Sequence, residues 1–414
     1  MVDTFPVKTS NPKIVSEMLL PLLLGSGVLN RKELETAKKV AVELELSLEE
    51  AIVDSGMVDE DDMKVPMEAL SRVEAKKITL DLAIRAVRIA LHKKVTLDDA
   101  ITAIGDVHKS TGVVVTATND LTKILLASNI IDRDQLGKAL KKSSDSSTMI
   151  GHLLVLSEVV TVKSMLAALN AIHMVRDVGL DPDKAVQGMR YANGRDITFE
   201  QALFELGFFI HPDSKDIRIE ELFHMSGIIS PSDLAECMEI ELFKKKDFGQ
   251  ILLERGMITN DQLDSARTLL ASIGRGTLRP YQAAQALSDV CRLDKDVYAT
   301  IAEFQLLYKP DTNDRLGDLL VEGGACSREQ MEKAFSMASE SAVKIGSVLL
   351  KSKIIKETTL YDALRVQTLF RFGYIDRPTM IALLSYCVNN KTNLDGALEE
   401  MGINVPSRMQ WTWV

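Results

Sequence analysis

Apolar residues recur along this chain at intervals of three and four, as in Leu136, Ala139 and Leu140 or Leu360, Ala363 and Leu364, the spacing that lays one stripe along a helix. Alternation of the kind a strand needs is confined to the short run Val113, Val114 and Val115. The pattern therefore predicts an all-α protein. Helix starts are marked by their caps. Asp132 with Gln135, Thr259 with Gln262 and Ser327 with Gln330 each place a capping side chain three residues before a glutamine, so that each satisfies the other's free backbone donor. Pro231 after Ser230 suits a first helical position, where a missing N–H costs nothing.

The same order of elements returns four times. Gly27, Asn129, Gly227 and Gly324 form one equivalent set of turn residues; Ile78, Leu180, Leu278 and Ile375 form a second; Ile101, Leu203, Ile301 and Leu398 form a third, and every set advances in steps of 97 to 102 residues. A register kept at three separate places predicts four tandem repeats of about one hundred residues, spanning 1–108, 109–212, 213–310 and 311–414. Each is expected to hold short helix pairs followed by a helical hairpin. The segments FFIHPDSKD (208–216) and LLYKPDTND (306–314) read as turns between repeats. Repeat 1 is the most divergent, with Glu49 where the others have Gly151, Gly249 and Gly346, and with Pro66 inside a predicted helix. A terminal repeat that caps an array is often atypical in this way.

Composition narrows the chemistry. Apolar residues make up 46% of the 414 and charged residues 26%, while aromatics are only 5%, so the chain has the makings of aliphatic cores. A net charge of −10 argues against general binding to a nucleic-acid polymer, which needs a basic surface; Lys244, Lys245 and Lys246 read as a solvated helix end. Cys237, Cys291, Cys326 and Cys387 form no CxxC pair and are expected as reduced core residues. The six histidines show no paired metal spacing, and His152 is read as an exposed helix position. Glu49, Glu50, Asp61 and Asp62 sit where acids complement a helix dipole. No GxxxxGK[ST] phosphate loop is present. The most apolar stretch, Met18 to Leu24, contains Pro21 and is too short to span a bilayer. With no signal-peptide pattern at the N-terminus, the expectation is a cytoplasmic protein without direct membrane insertion.

Repeat 4 resolves further into two matching stretches, RLGDLLVEGGACSREQMEKAFSMA (315–338) and KIGSVLLKSKIIKETTLYDALRVQ (344–367). This tandem pattern resembles the MshEN domain, the N-terminal domain of certain bacterial type IV pilus and type II secretion ATPases. Its motif runs Arg-Leu-Gly, a series of spaced leucines and a closing glutamine, and two such motifs together bind the bacterial messenger cyclic di-GMP. The first stretch supplies Arg315, Leu316, Gly317 and Leu320, then has Cys326, Met331 and Phe335 in place of leucines and Ala338 in place of glutamine. The second supplies Lys344 for arginine and Ile345 for leucine, then Gly346, Leu349, Ile355, Leu360, Leu364 and Gln367.

The resemblance implies a ligand site formed by Arg315, Leu316, Gly317, Lys344, Ile345, Gly346 and Gln367. Its logic is physical as well as familial. Cations at helix starts suit phosphates, glycines admit a ligand close to the backbone, and a glutamine offers donor and acceptor to a base edge. The leucines and isoleucines are also what any helix-pair core needs. Repeat 2 has Asp120, Leu121 and Thr122 in the first signature and Met149, Ile150 and Gly151 in the second, without a cation. Repeat 3 keeps Arg218 but puts Glu220 at the first glycine and Asp247 at the second cation.

Two functions follow as expectations. The first is a non-catalytic scaffold of MshEN-like units that binds other proteins, without cofactor or metal, in a pilus or secretion setting. The alternative is a cyclic di-GMP receptor with its site in repeat 4. The C-terminal Trp411 and Trp413 are expected to pack back onto repeat 4.

Overall fold

The computed structural model describes residues 12–44, 46–104, 119–146, 148–208, 217–244, 246–307, 313–341 and 343–406. The run Val113–Val115 and the two tryptophans lie outside them. Every regular element among the described residues is helical, 24 α-helices and one five-residue π-helix, with no strand. The chain is all-α, as its periodicity predicts.

In chain order the first six helices are α1 (Pro12–Ser26), α2 (Arg31–Glu43), α3 (Leu48–Asp54), α4 (Glu60–Glu74), α5 (Leu80–Lys93) and α6 (Leu97–Ile104). Next come α7 (Asn119–Ala127), α8 (Arg133–Ser146), α9 (Ile150–Leu156), α10 (Val162–His173) with the π-helix Met174–Val178 at its end, α11 (Pro182–Arg195) and α12 (Phe199–Glu205). They are followed by α13 (Ile219–Met225), α14 (Pro231–Lys244), α15 (Phe248–Glu254), α16 (Asn260–Gly274), α17 (Pro280–Leu293) and α18 (Val297–Leu307). The last six are α19 (Leu316–Glu322), α20 (Arg328–Ser341), α21 (Ile345–Lys351), α22 (Glu357–Arg371), α23 (Arg377–Asn390) and α24 (Leu394–Glu400).

Local chemistry accounts for these boundaries. Asp132 and Gln135 exchange bonds at 2.7 and 2.9 Å, and Ser327 and Gln330 do so at 3.2 and 2.9 Å, closing the capping boxes of α8 and α20. Gly27, Asn129, Gly227 and Gly324 all have left-handed backbone, with φ of 75°, 59°, 68° and 74°. Ile78, Leu180, Leu278 and Ile375 each stand just before the N-cap of a 14-residue helix, α5, α11, α17 or α23; there an apolar side chain fixes the entry angle of the chain. Pro66 lies inside α4 with its ring buried.

The described residues group into two units. Unit 1 takes Met1–Ile172 and Pro231–Thr259; unit 2 takes His173–Ser230 and Asn260–Val414. The chain thus enters unit 2 at His173, returns to unit 1 for α14 and α15, and leaves again at Asn260. In unit 1, α1 packs on α4, α5 and α9 around Leu22, Leu23, Ala83, Ile84 and Val87, all fully buried. In unit 2, α13 packs on α16 and α17, and α19 on α22 and α23, the latter around Leu320, Val366, Leu369 and Leu383. A buried bidentate pair, Arg365 to Asp395 at 2.7 and 3.3 Å, ties α22 to α24. The backbone N–H of Leu394 adds a bond to Asp362 at 3.0 Å. Burial pushes the Asp362 carboxyl up to about 6.

A Cβ on Gly324 would meet no atom within 4 Å, so its substitution tests the backbone alone. Gly324→Ala is expected to cost about 1–2 kcal/mol in urea unfolding, the penalty of a left-handed L-residue. Asn129→Gly, at a position already adapted to that conformation, should shift stability by only about 0.5 kcal/mol.

Candidate functional site

The residues singled out in repeat 4 lie at two helix starts in unit 2. Arg315 is the N-cap of α19 and Lys344 the N-cap of α21; both are exposed, and neither makes a side-chain capping bond. Among the described residues no ion pair engages either of them. Leu316 and Ile345 are half-buried and pack against the aliphatic core. The two glycines face side chains of the same unit. A Cβ on Gly317 would lie 3.3 Å from Met331 Sδ, and one on Gly346 would lie 3.2 Å from Leu360 Cδ2. Small residues here let the starts of α19 and α21 approach α20 and α22.

Gln367 is buried on α22, and its Nε2 donates to the Asp314 carbonyl at 2.5 Å. Arg371, one turn on, donates through Nε to Asp314 Oδ2 at 2.6 Å. The structure therefore brings the closing glutamine of the second stretch beside the opening arginine of the first, through the residue that precedes it. No hydrogen bond among the described residues joins Lys344 to either. Ala338, in place of the first glutamine, is buried in the core.

The densest polar site lies in unit 1, where the sequence had marked only Gly151 and His152. Glu239 on α14 is fully enclosed, and its carboxylate caps α9: Oε1 accepts from Gly151 N at 2.8 Å and Oε2 from His152 N at 2.9 Å. Gly151 makes this possible, since a Cβ there would lie 2.7 Å from Glu239 Oε2. Around this pair stand three arginines and three further acids. Arg255 donates to Asp81 at 2.7 Å and to Glu236; Arg88 donates to Asp233 at 2.8 Å and to the Gly25 carbonyl; Arg85 donates to the Glu254 carbonyl at 2.5 Å.

His152 is 3% exposed, contrary to the solvated position its sequence context suggested. The reason is that α9 is enclosed by α1, α8 and α14, so that all seven of its residues are buried. Its Nε2 lies 3.9 Å from Glu236 Oε2, and among the described residues neither ring nitrogen has a hydrogen-bond partner. Burial holds the imidazole below its ordinary value. Burial works to raise Glu236 and Asp81, but the cations around them, Arg255 foremost with Arg88 beside Glu236 and Arg85 beside Asp81, together outweigh it and hold both low. Glu239 is the exception: burial pushes it up to about 8, against the pull of the two N–H bonds.

The sequence carried a partial signal for this cluster. Glu236 and Glu239 are spaced to share a helix face, and so are Asp81, Arg85 and Arg88. It did not show that both faces turn inward. Lys246 pairs with Glu254 at 2.7 Å on the surface, as a solvated cation does. Among the described residues no group of three or more His, Cys, Asp or Glu could hold a metal ion, and no helix is long and apolar enough to cross a membrane.

Fold and site together define a protein that is all-helical among the described residues, with Arg315 and Lys344 exposed at the starts of α19 and α21 and a buried cluster of charges in unit 1. The chain matches none of the protein-family models and none of the curated proteins with which it was compared.

Two motif glycines separate the roles. Gly151→Ala must displace the Glu239 carboxylate, and is expected to destabilise unit 1 by about 3 kcal/mol as buried polar groups lose their partners. Gly346→Ala meets only the flexible end of Leu360, and helix propensity gains about 1 kcal/mol in return, so its net effect should be near zero. Urea denaturation of both variants checks the contrast.

Proposed function

We propose that this chain is a non-catalytic scaffold of four MshEN-like units whose surfaces bind other proteins, in the setting of a pilus or secretion machine. The observation that carries this reading is where the motif residues make their contacts. Gly317 faces Met331, Gly346 faces Leu360, Gln367 holds Asp314, and Gly151 receives Glu239. Positions that the family turns toward a ligand here hold helices together.

The four-repeat division, 1–108, 109–212, 213–310 and 311–414, is supported by the order of helix lengths. Each successive set of six has a second helix of 13 or 14 residues, a third of seven and a fifth of 14. Ile101, Leu203, Ile301 and Leu398 each fall at the same place in the sixth. Apolar side chains in solvent supply contact area for partners: Phe335 is 65% exposed, Met337 52% and Tyr298 70%. The absence of a phosphate loop from the sequence supports the non-catalytic reading.

A second reading, a cyclic di-GMP receptor, is favoured by the exposure of Arg315 and Lys344 at the starts of α19 and α21, where charge and helix dipole act together on a phosphate.

Affinity capture with the full chain, followed by cross-linking, tests the scaffold. Phe335→Ser with Met337→Ser, or Tyr298→Ser, should lower recovery of a specific partner about tenfold, or 1.4 kcal/mol, with helicity unchanged; recovery indifferent to both surfaces sinks the reading. Calorimetric titration of the full chain with cyclic di-GMP at about 50 µM, corresponding to about −6 kcal/mol, tests the receptor. Heat that disappears in Arg315→Ala with Lys344→Ala would establish it, and no heat in the wild type would exclude it.

A further inference from the structure

Helix α18 carries a single charged residue, Glu303, in its 11 positions. Its inner side, Val297, Thr300, Ile301 and Phe304, is buried or half-buried where α18 packs on α16 and α17. Its outer side is apolar as well: Tyr298, Ala302 and Leu306 follow one another at intervals of four and are all exposed, Leu306 at 87%. A helix that is apolar all round belongs in an interior, yet this one is covered on one side only.

In the register of the proposed repeats, α18 departs from the other sixth helices. The position of Tyr298 holds an acid in each of them: Asp98, bonded to Arg72; Glu200, buried; and Asp395, bonded to Arg365. Those helices are seven or eight residues long, and the longer α18 adds the turn that bears Leu306. At the position of Ala302 repeat 2 has Phe204, whose ring stands edge-on to Tyr361 of α22 at 5.8 Å. That face of a sixth helix is thus already used, within unit 2, to meet a helix of another repeat.

We propose that the outer face of α18 joins two copies of this chain, α18 crossing its counterpart antiparallel about Ala302. A two-fold contact requires a surface that matches itself, and this one does. Tyr298 and Leu306 stand four residues, about 6 Å, to either side of Ala302, so each Tyr298 falls on the partner's Leu306. The small side chain at the crossing lets the two backbones approach. Acids flank the stripe at Asp294, Asp296 and Glu303, and Lys295 is held by Asp289 at 3.1 Å and by Glu303 at 3.6 Å; such surroundings oppose an anionic membrane surface. The dimer rests on the scaffold reading and gives one of its two exposed surfaces an occupant.

Sedimentation equilibrium of the purified full chain is expected to show monomer and dimer exchanging with a Kd on the order of 10 µM, as suits a small interface. Ala302→Glu and Tyr298→Asp should each raise that Kd at least about a hundredfold by burying an unpaired acid in each copy. Helicity should be unchanged, since Glu399, Asp98 and Asp395 already occupy those positions in other repeats. Should neither variant fold, cross-linking decides: under mild oxidation Ala302→Cys copies must form a disulfide-linked dimer beyond the wild-type level, and Phe335→Cys copies must not. A chain still monomeric at about 100 µM, a dimer indifferent to both acidic substitutions, or cross-linking no greater for Ala302→Cys than for Phe335→Cys would overturn the proposal. So would a monomer that floats with phosphatidylcholine vesicles, or one whose Tyr298 captures only a different protein. A monomeric result leaves capture through Phe335 and Met337 to decide the scaffold reading, so the two fail separately.

Discussion

A helix of two turns cannot sustain itself in water, because nucleation costs more than its few internal hydrogen bonds return. Eight α-helices among the described residues are seven residues long, and each therefore depends on longer helices around it. The consequence is plainest at α9. Every residue of that helix is buried, its free N–H groups cannot reach water, and a carboxylate from α14 satisfies two of them. A segment remote in sequence is thereby required to complete unit 1.

The same constraint shapes the starts of α19 and α21, with a different outcome. Each begins after an exposed cation and carries a glycine as its second residue. There the glycines admit Met331 and Leu360, where Gly151 admits Glu239. One motif position thus does two kinds of work: close packing between helices in unit 2, and close approach of an acid in unit 1. A shared register with divergent contacts is what a scaffold of related units would show, and it is on this ground that the scaffold reading rests.

Buried charge gives the two units different characters. In unit 2 Arg365 pairs with Asp395 between α22 and α24, and Asp362 accepts from the start of α24 beside them. In unit 1 the charges are many, and among the described residues buried polar atoms such as His152 Nδ1 and Glu236 Oε2 have no hydrogen-bond partner. Networks of this kind contribute less to stability than to the choice of a specific arrangement, and they respond to any change in proton count.

Helix type, helix starts and the left-handed turns were legible in the sequence because they are set locally. The reciprocal bonds of Asp132 with Gln135 and of Ser327 with Gln330, and the positive φ shared by Gly27, Asn129, Gly227 and Gly324, depend on neighbours within a few residues. The fate of the motif residues was not legible. That Gln367 turns inward to Asp314, that His152 is enclosed, and that Glu239 meets Gly151 depend on which helix covers which, and helical spacing specifies an apolar face without naming what covers it. The sequence by itself determined the helices, their caps and the register of their turns. Only the tertiary structure decided that α14 and α15 complete unit 1 and that an acid sits on the start of α9, because contacts between residues far apart in the chain are settled by packing and desolvation and not by local preference.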